Sequence, residues 1–370
     1  MTARPRLVFL VIAVVAVVVA GAAWLLLRGG GPHDAPAVTG PTPTTAAQVP
    51  YDPEAPINQP VPADAAADPR SAAIVARLVS NIQAGGLIIA AGDETPPVYV
   101  VHSTDPFLSL HVDGKPQRFR VPAAAVTGSG ADAPLMLLDP DHPDLGRDVE
   151  LRMFKAHIDR ANGVLYGDGA SLGHYNNDGR RLNPDGSRSV GVPFLGHGTG
   201  SGLSMLAGLV RSEEVRAGAI HHALRFAYSA PDFTNAFRSP AVHTDQPKGG
   251  VTRDPASAMD MGMRLRLDPA VDCSTRTVPH HSDTSGPTRF LRVVCRALQR
   301  YGMVALDGST DGHVLLEMEG DATAHWGTVI GPTYYGGWGY TLRPKGVRDG
   351  LGRGDSSGIP WDRMQVVAGS

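Results

Sequence analysis

The sequence predicts a mainly β domain: an antiparallel β-sandwich or jelly-roll with one or two packed helices, preceded by one transmembrane helix. Three observations carry this expectation. Short apolar segments with period-two alternation recur from about residue 87 onward. Helices do not alternate with them, as a parallel α/β fold would require. One long uncharged run lies near the amino terminus. Hydrophobic residues make up 42% of the 370 and charged residues 19%, which excludes a wholly disordered chain. A formal net charge of −3 supplies no basic field, so no nucleic-acid partner is expected.

The amino-terminal element is read first. Arg4 and Arg6 precede the uncharged residues 7–27, and Arg28 closes them. As a helix these would span about 31 Å, one hydrocarbon core. Ala20-Gly21-Ala22-Ala23 imitates a cleavage site, but Trp24-Leu25-Leu26-Leu27 continue the run, so an uncleaved anchor is favoured over a cleaved, secreted form. The arginines before the span keep the short amino terminus inside. Residues 1–28 therefore read as a signal-anchor, with the rest extracytoplasmic. Residues 29–68, rich in Pro, Ala and Thr without apolar period, read as a flexible linker, and 69–370 as the β-rich domain.

Asp68-Pro69 resembles a helix start, and Ile74, Val75, Leu78, Val79 and Ile82 then share one helical face. Strand-like segments follow at 87–91, 98–102, 108–112, 118–121, 135–138, 149–154 and 163–166, with Asp113-Gly114 as a hairpin signal. Three later strands alternate clearly: 220–228, 259–268 and 313–319. Between the last two lies the strongest helix signal, with Thr288 as cap and an apolar stripe of Phe290, Val293, Val294, Ala297, Leu298 and Tyr301. The two cysteines, Cys273 and Cys295, stand 22 positions apart. An oxidising compartment would join them, and a buried free thiol at Cys295 is the other reading.

Chemistry-bearing positions are few. Gly198-Thr199-Gly200-Ser201-Gly202 misses the nucleophile-elbow spacing. Oxygen-rich residues 176–186 do not match a calcium loop, so calcium there stays open and neither metal nor cofactor is assigned. Glu317 and Glu319 share a strand face roughly 6.5 Å apart, between the carboxylate separations of retaining and inverting glycosidases. With Asp321 they partially resemble the acidic strand of laminarinase-type glycoside hydrolases, whose middle position is aspartate where this chain has glutamate. Arg225, Arg264 and Arg266 lie opposite the apolar faces of two strands and offer a basic groove for a uronate, with Arg225 as substrate anchor. His222 reads either as a core histidine or as a base. The segment 334–340, with Tyr335 and Trp338, offers a sugar-stacking platform.

Residues 202–218 (GLSMLAGLVRSEEVRAG) and 220–226 (IHHALRF) are similar to an uncharacterised family of exported, mainly actinobacterial proteins. Pro240-Ala241, residues 261–269 (MGMRLRLDP), 296–307 (RALQRYGMVALD) and Pro360-Trp361-Asp362 continue the resemblance. It implies an envelope or extracellular setting and one recurring domain, and it brings no activity. The motif positions able to carry chemistry are His222, Asp307 and Asp362.

These readings converge on a membrane-anchored extracytoplasmic domain acting on envelope or environmental polysaccharide, by hydrolysis or lyase chemistry. Glu317, Glu319 and His222 are the catalytic candidates. Arg225, Trp338 and Tyr335 are the substrate-binding candidates. The alternative is a non-catalytic surface module binding glycan or protein.

Overall fold

The structure is a computed structural model. It describes residues 49–85, 87–92, 94–112, 115–175, 199–245, 250, 252–277, 285–309, 313–331 and 358–369. The expected membrane span at 7–27, the 176–186 loop, Tyr335 and Trp338 lie outside the described residues. Among the described residues no helix is long and apolar enough to cross a membrane.

Along the chain, helix α1 (Ser71–Gly85) leads into strands β1 (Leu87–Ala90), β2 (Val98–Val100), β3 (Phe107–Val112) and β4 (Lys115–Arg120). Strands β5 (Leu135–His142), β6 (Gly146–Phe154), β7 (His157–Asp159), β8 (Val164–Tyr166) and β9 (Gly169–His174) follow. Helix α2 (Ser212–Ala217) precedes β10 (Leu224–Ser229), β11 (Phe233–Phe237), β12 (Met259–Met261) and β13 (Arg264–Leu267). Helix α3 (Ser285–Arg300) is followed by β14 (Met303–Ser309) and β15 (Val314–Glu317). Two short helices, α4 (Asp321–Ala324) and α5 (Trp326–Ile330), and strand β16 (Met364–Val366) complete the described elements.

The strands form a six-stranded sheet in the order β1-β15-β10-β14-β13-β16, two four-stranded sheets (β2-β5-β6-β9 and β4-β3-β8-β7) and the pair β11-β12. The fold is mainly β, but its sheets are mixed. The pairs β1-β15, β10-β14, β2-β5 and β3-β8 are parallel, whereas β10-β15, β13-β14, β5-β6 and β6-β9 are antiparallel. This departs from the antiparallel expectation. Alternation within a strand reads the same in either pairing, and the parallel partners here are distant in sequence, joined by long excursions that a hairpin cannot provide.

One face of the six-stranded sheet packs against α1 and α3. Ile74, Leu78 and Ile82 meet Leu224, Phe226, Leu265, Met303 and Leu316 there, together with the buried Phe290, Val294 and Leu298. The stripes expected on both helices are therefore the ones that are buried. Helix α3 begins by Ser285, with Pro287 in its first turn, so Thr288 lies inside it rather than capping it. The other sheet face meets β5 through Met136 and Leu138, which pack with Ala223, Val304 and Leu306. A third core lies between β5-β6 and β3-β4-β8, around Leu110, Phe119, Leu137, Leu151 and Leu165. Cys273 and Cys295 are joined, with sulfurs 2.00 Å apart, tying the turn before α3 to the helix itself.

The linker expectation ending at residue 68 is corrected. Tyr51, Ala55 and Ile57 are buried, and the Ala223 amide donates to the Ile57 carbonyl at 2.7 Å. The proline-rich segment has no pattern of its own, yet its carbonyls are met by buried donors. Arg264 donates to the Gln59 carbonyl at 2.8 Å and to that of Pro56, and Arg266 to the Pro62 carbonyl at 2.7 Å. These two arginines therefore clamp the entering chain and do not line a groove with Arg225.

Candidate active site

The face of the six-stranded sheet that looks toward β5 and β6 carries charge in its middle strands. Phe226 is registered against Leu316 in the antiparallel pair β10-β15, and one step along places Arg225 opposite Glu317. Arg225 is wholly buried, and its Nε donates to the Glu317 carboxylate at 2.5 Å. Its Nη1 donates to the Ser204 carbonyl at 3.1 Å. Its Nη2 makes no hydrogen bond and stands 3.6 Å from Oδ2 of Asp307 on the neighbouring strand β14. Across the inter-sheet space, Glu150 and Arg152 share the face of β6 whose partners on β5 are Leu138 and Met136. Glu150 accepts the Tyr51 hydroxyl at 3.0 Å.

Asp307 is the chemically distinctive group. Its side chain is 24% exposed. Its Oδ1 accepts the amides of Gly200 at 3.1 Å and Gly308 at 3.0 Å. Burial, then the Glu317 carboxylate, push its pKa up to about 7; Arg225 opposes the rise, Asp245 adds to it, and the Gly200 amide opposes it. Asp307 is thus divided between proton-bound and ionised forms near neutrality.

Asp245 reaches the same place from the loop after β11. The chain at 242–243 is held by two amides, those of Val242 and His243, which donate to the Ser201 carbonyl at 2.9 and 3.1 Å. His243 Nδ1 donates to the Gly200 carbonyl at 3.0 Å, which fixes its tautomer. A Cβ on Gly200 would lie 2.5 Å from the Asp245 Cβ, and one on Gly308 would lie 2.5 Å from its Oδ2. Each of these glycines therefore touches both aspartates: its amide binds Asp307, and its bare α-carbon admits Asp245. The approach of the two carboxylates depends on the absence of side chains at both positions. Ser201 is buried and hydrogen-bonded to Thr199 at 2.8 Å, so it supports this loop.

The sequence-derived candidates divide. The two glutamates are not brought together as a reactive pair, because each is bound to a different arginine. Glu319 accepts Arg211 Nε at 3.1 Å and the Ser212 amide at 3.3 Å. His222 is buried, with Nδ1 donating to the Ala223 carbonyl at 2.9 Å and Nε2 to Glu214 at 3.2 Å. Both ring nitrogens face acceptors, an arrangement that favours the charged ring. Burial works against that charge, but Glu214 outweighs it and the pKa is raised. Arg225 and Glu317 do border the site, and Asp307 lies at its centre. Asp362 is exposed at a turn beside β16.

Sequence reasoning passed over Asp245, Glu150 and Arg152. The signal for the last two was present. They alternate with Val149, Leu151 and Met153 on a strand buried on both faces. Among the described residues, no three His, Cys, Asp or Glu side chains are grouped so as to hold a metal ion. Comparison with protein-family models, with curated proteins and with solved structures gives no match.

Proposed function

We propose that this domain hydrolyses a glycosidic bond in envelope or environmental polysaccharide, with Asp307 as general acid and Asp245 as its carboxylate partner. The observation that carries the proposal is the pairing of these aspartates across Gly200 and Gly308. An acid with a pKa near 7 suits protonation of a leaving oxygen at neutral pH. In this reading Asp307 gives its proton to the glycosidic oxygen as the bond to the anomeric carbon breaks. Water adds to that carbon, and Asp245 accepts the proton the water releases. The pair takes over the role that sequence spacing suggested for Glu317 and Glu319.

The setting belongs to the same proposal. The Cys273–Cys295 bond supports an oxidising compartment, and residues 7–27 have the length and composition of a membrane anchor. The finer fold reading, a β-sandwich, is supported by the sheet-on-sheet packing at two of the three cores.

The test is incubation of the full chain in detergent with a panel of bacterial and plant polysaccharides, followed by assay for new reducing ends. Reducing ends that vanish in both Asp307→Asn and Asp245→Asn are expected. Retention of a polysaccharide with no turnover would overturn the hydrolase and favour a surface-binding module.

A further inference from the structure

Arg152 is a buried cation whose guanidinium makes no hydrogen bond to any described residue, its Nε sealed and unmatched. The residue is 6% exposed. The other buried arginines among the described residues each keep at least one hydrogen-bonded nitrogen, although Nε of Arg264 and Arg266 is also unmatched. Arg211 has Glu319, Arg264 has the Pro56 and Gln59 carbonyls, and Arg266 has Pro62 and Gln365. Leaving such a group unmatched is costly, so it calls for a reason.

Its surroundings point to a ligand. On β9, Ser171 stands directly opposite Arg152, and its hydroxyl is likewise buried without a partner. The two face the sheet that carries Arg225, whose Nη2 is the third unmatched donor. That nitrogen lies 3.6 Å from Asp307 Oδ2, which ties this donor set to the acid of the proposed pair. Glu150, Glu317 and Asp307 all act electrostatically on Arg152, which explains how it stays charged, but none accepts its protons.

We infer that Arg152, Ser171 and Nη2 of Arg225, which makes no hydrogen bond, receive a carboxylate on the substrate, so that the sugar bound beside Asp307 is a uronic acid. A planar carboxylate matches a guanidinium fork, and a hydroxyl can donate to its remaining lone pair. Asp307 in its proton-bound form adds no repulsion to an incoming anion. The inference rests on reading Asp307 and Asp245 as a glycan-cleaving pair.

The test is the ligand-dependent rise in melting temperature of the full chain in detergent, titrated separately with glucuronate, its uncharged amide, and glucose 6-phosphate. Glucuronate should stabilise the protein and the amide should not. Arg152→Met should weaken glucuronate binding roughly tenfold, the loss of a charged hydrogen bond. Arg152→Lys, which keeps charge but loses the fork, should weaken it while folding as wild type, and this guards against a methionine variant that merely unfolds. Equal stabilisation by glucuronate and its amide, no stabilisation by glucuronate, or unaltered binding in both variants would overturn the inference. Preference for glucose 6-phosphate would overturn the carboxylate assignment. If glucuronate fails but Asp307-dependent cleavage of a neutral polysaccharide persists, only the anion site is lost. If glucuronate binds and no polysaccharide is cleaved, the hydrolase reading fails instead.

Discussion

Arg225 and Glu317 face each other across β10 and β15 as an ion pair in which the arginine is wholly buried. Such a pair contributes little net stability, because desolvation of both charges offsets their attraction. Breaking it is a different matter. Arg225→Met leaves Glu317 beside Asp307 without its nearest cation and should destabilise the domain by about 3–5 kcal/mol. The double variant Arg225→Met, Glu317→Leu should recover much of that loss in chemical denaturation. Additive losses would mean that the two side chains are not energetically coupled.

The same neighbourhood sets a pH dependence through Asp307. Its folded pKa, about 7, lies above the ordinary aspartate value of 3.8. Below that ordinary value both folded and unfolded chains hold the proton, and the group has no effect. As pH rises, the unfolded chain releases the proton first, so Asp307 increasingly opposes folding until it ionises in the native state near pH 7. Asp307→Asn should therefore raise the melting temperature at pH 8 and leave it nearly unchanged at pH 4. Its amide oxygen can still accept the Gly200 and Gly308 amides. An equal effect at both pH values would show that the proton is not involved. A gain in stability together with loss of turnover is the pattern expected when a buried charge is kept for chemistry.

His222 carries the opposite sign. Its folded pKa is raised above 6.5, with Glu214 holding the charged form against burial. The stabilisation is complete below pH 6.5 and is lost as pH rises through the folded value. Relative to His222→Gln, wild type should therefore be more stable at pH 6 and lose that advantage on the alkaline side. Stability curves that run parallel from pH 6 to 9 would contradict the raised pKa of His222.

The contrast between His222 and Asp307 shows what the sequence could carry. Local pattern placed the apolar stripes of α1 and α3 and the alternation of β10, β13 and β15, because burial of a face is a periodic property. It also placed Arg225, Arg264 and Arg266 on one face, but it could not say that this face is covered. A second sheet lies over Arg225, and the chain at 56–62 lies over the other two. Charged alternation therefore resembled a wet surface where the fold has a polar interior. The separation of Glu317 from Glu319 depends on Arg225 and Arg211, 14 residues apart in sequence and on different elements. Asp245 is less legible still, since it sits in a loop and acquires its meaning from two glycines more than 40 positions away on either side.

Those glycines give the most specific test of the pair. At Gly308 an added Cβ would meet the Asp245 Oδ2 at 2.5 Å, the free end of an exposed side chain that can turn away. At Gly200 it would meet the Asp245 Cβ at 2.5 Å, where the backbone itself must yield. Gly308→Ala should thus leave stability nearly intact, while Gly200→Ala should cost about 1–3 kcal/mol by overpacking. Both should move Asp245 away from Asp307 and so lower the pKa of Asp307, since Asp245 is one of the charges that raise it. Carboxyl carbon shifts from NMR would follow that titration directly, and Asp245→Asn should shift it in the same direction without altering the loop. In an active preparation the alkaline limb of the rate profile should move to lower pH in step. An Asp307 titration that stays near 7 in all three variants would mean that burial and Glu317 alone hold the proton there, and that Asp245 plays no part in poising the acid.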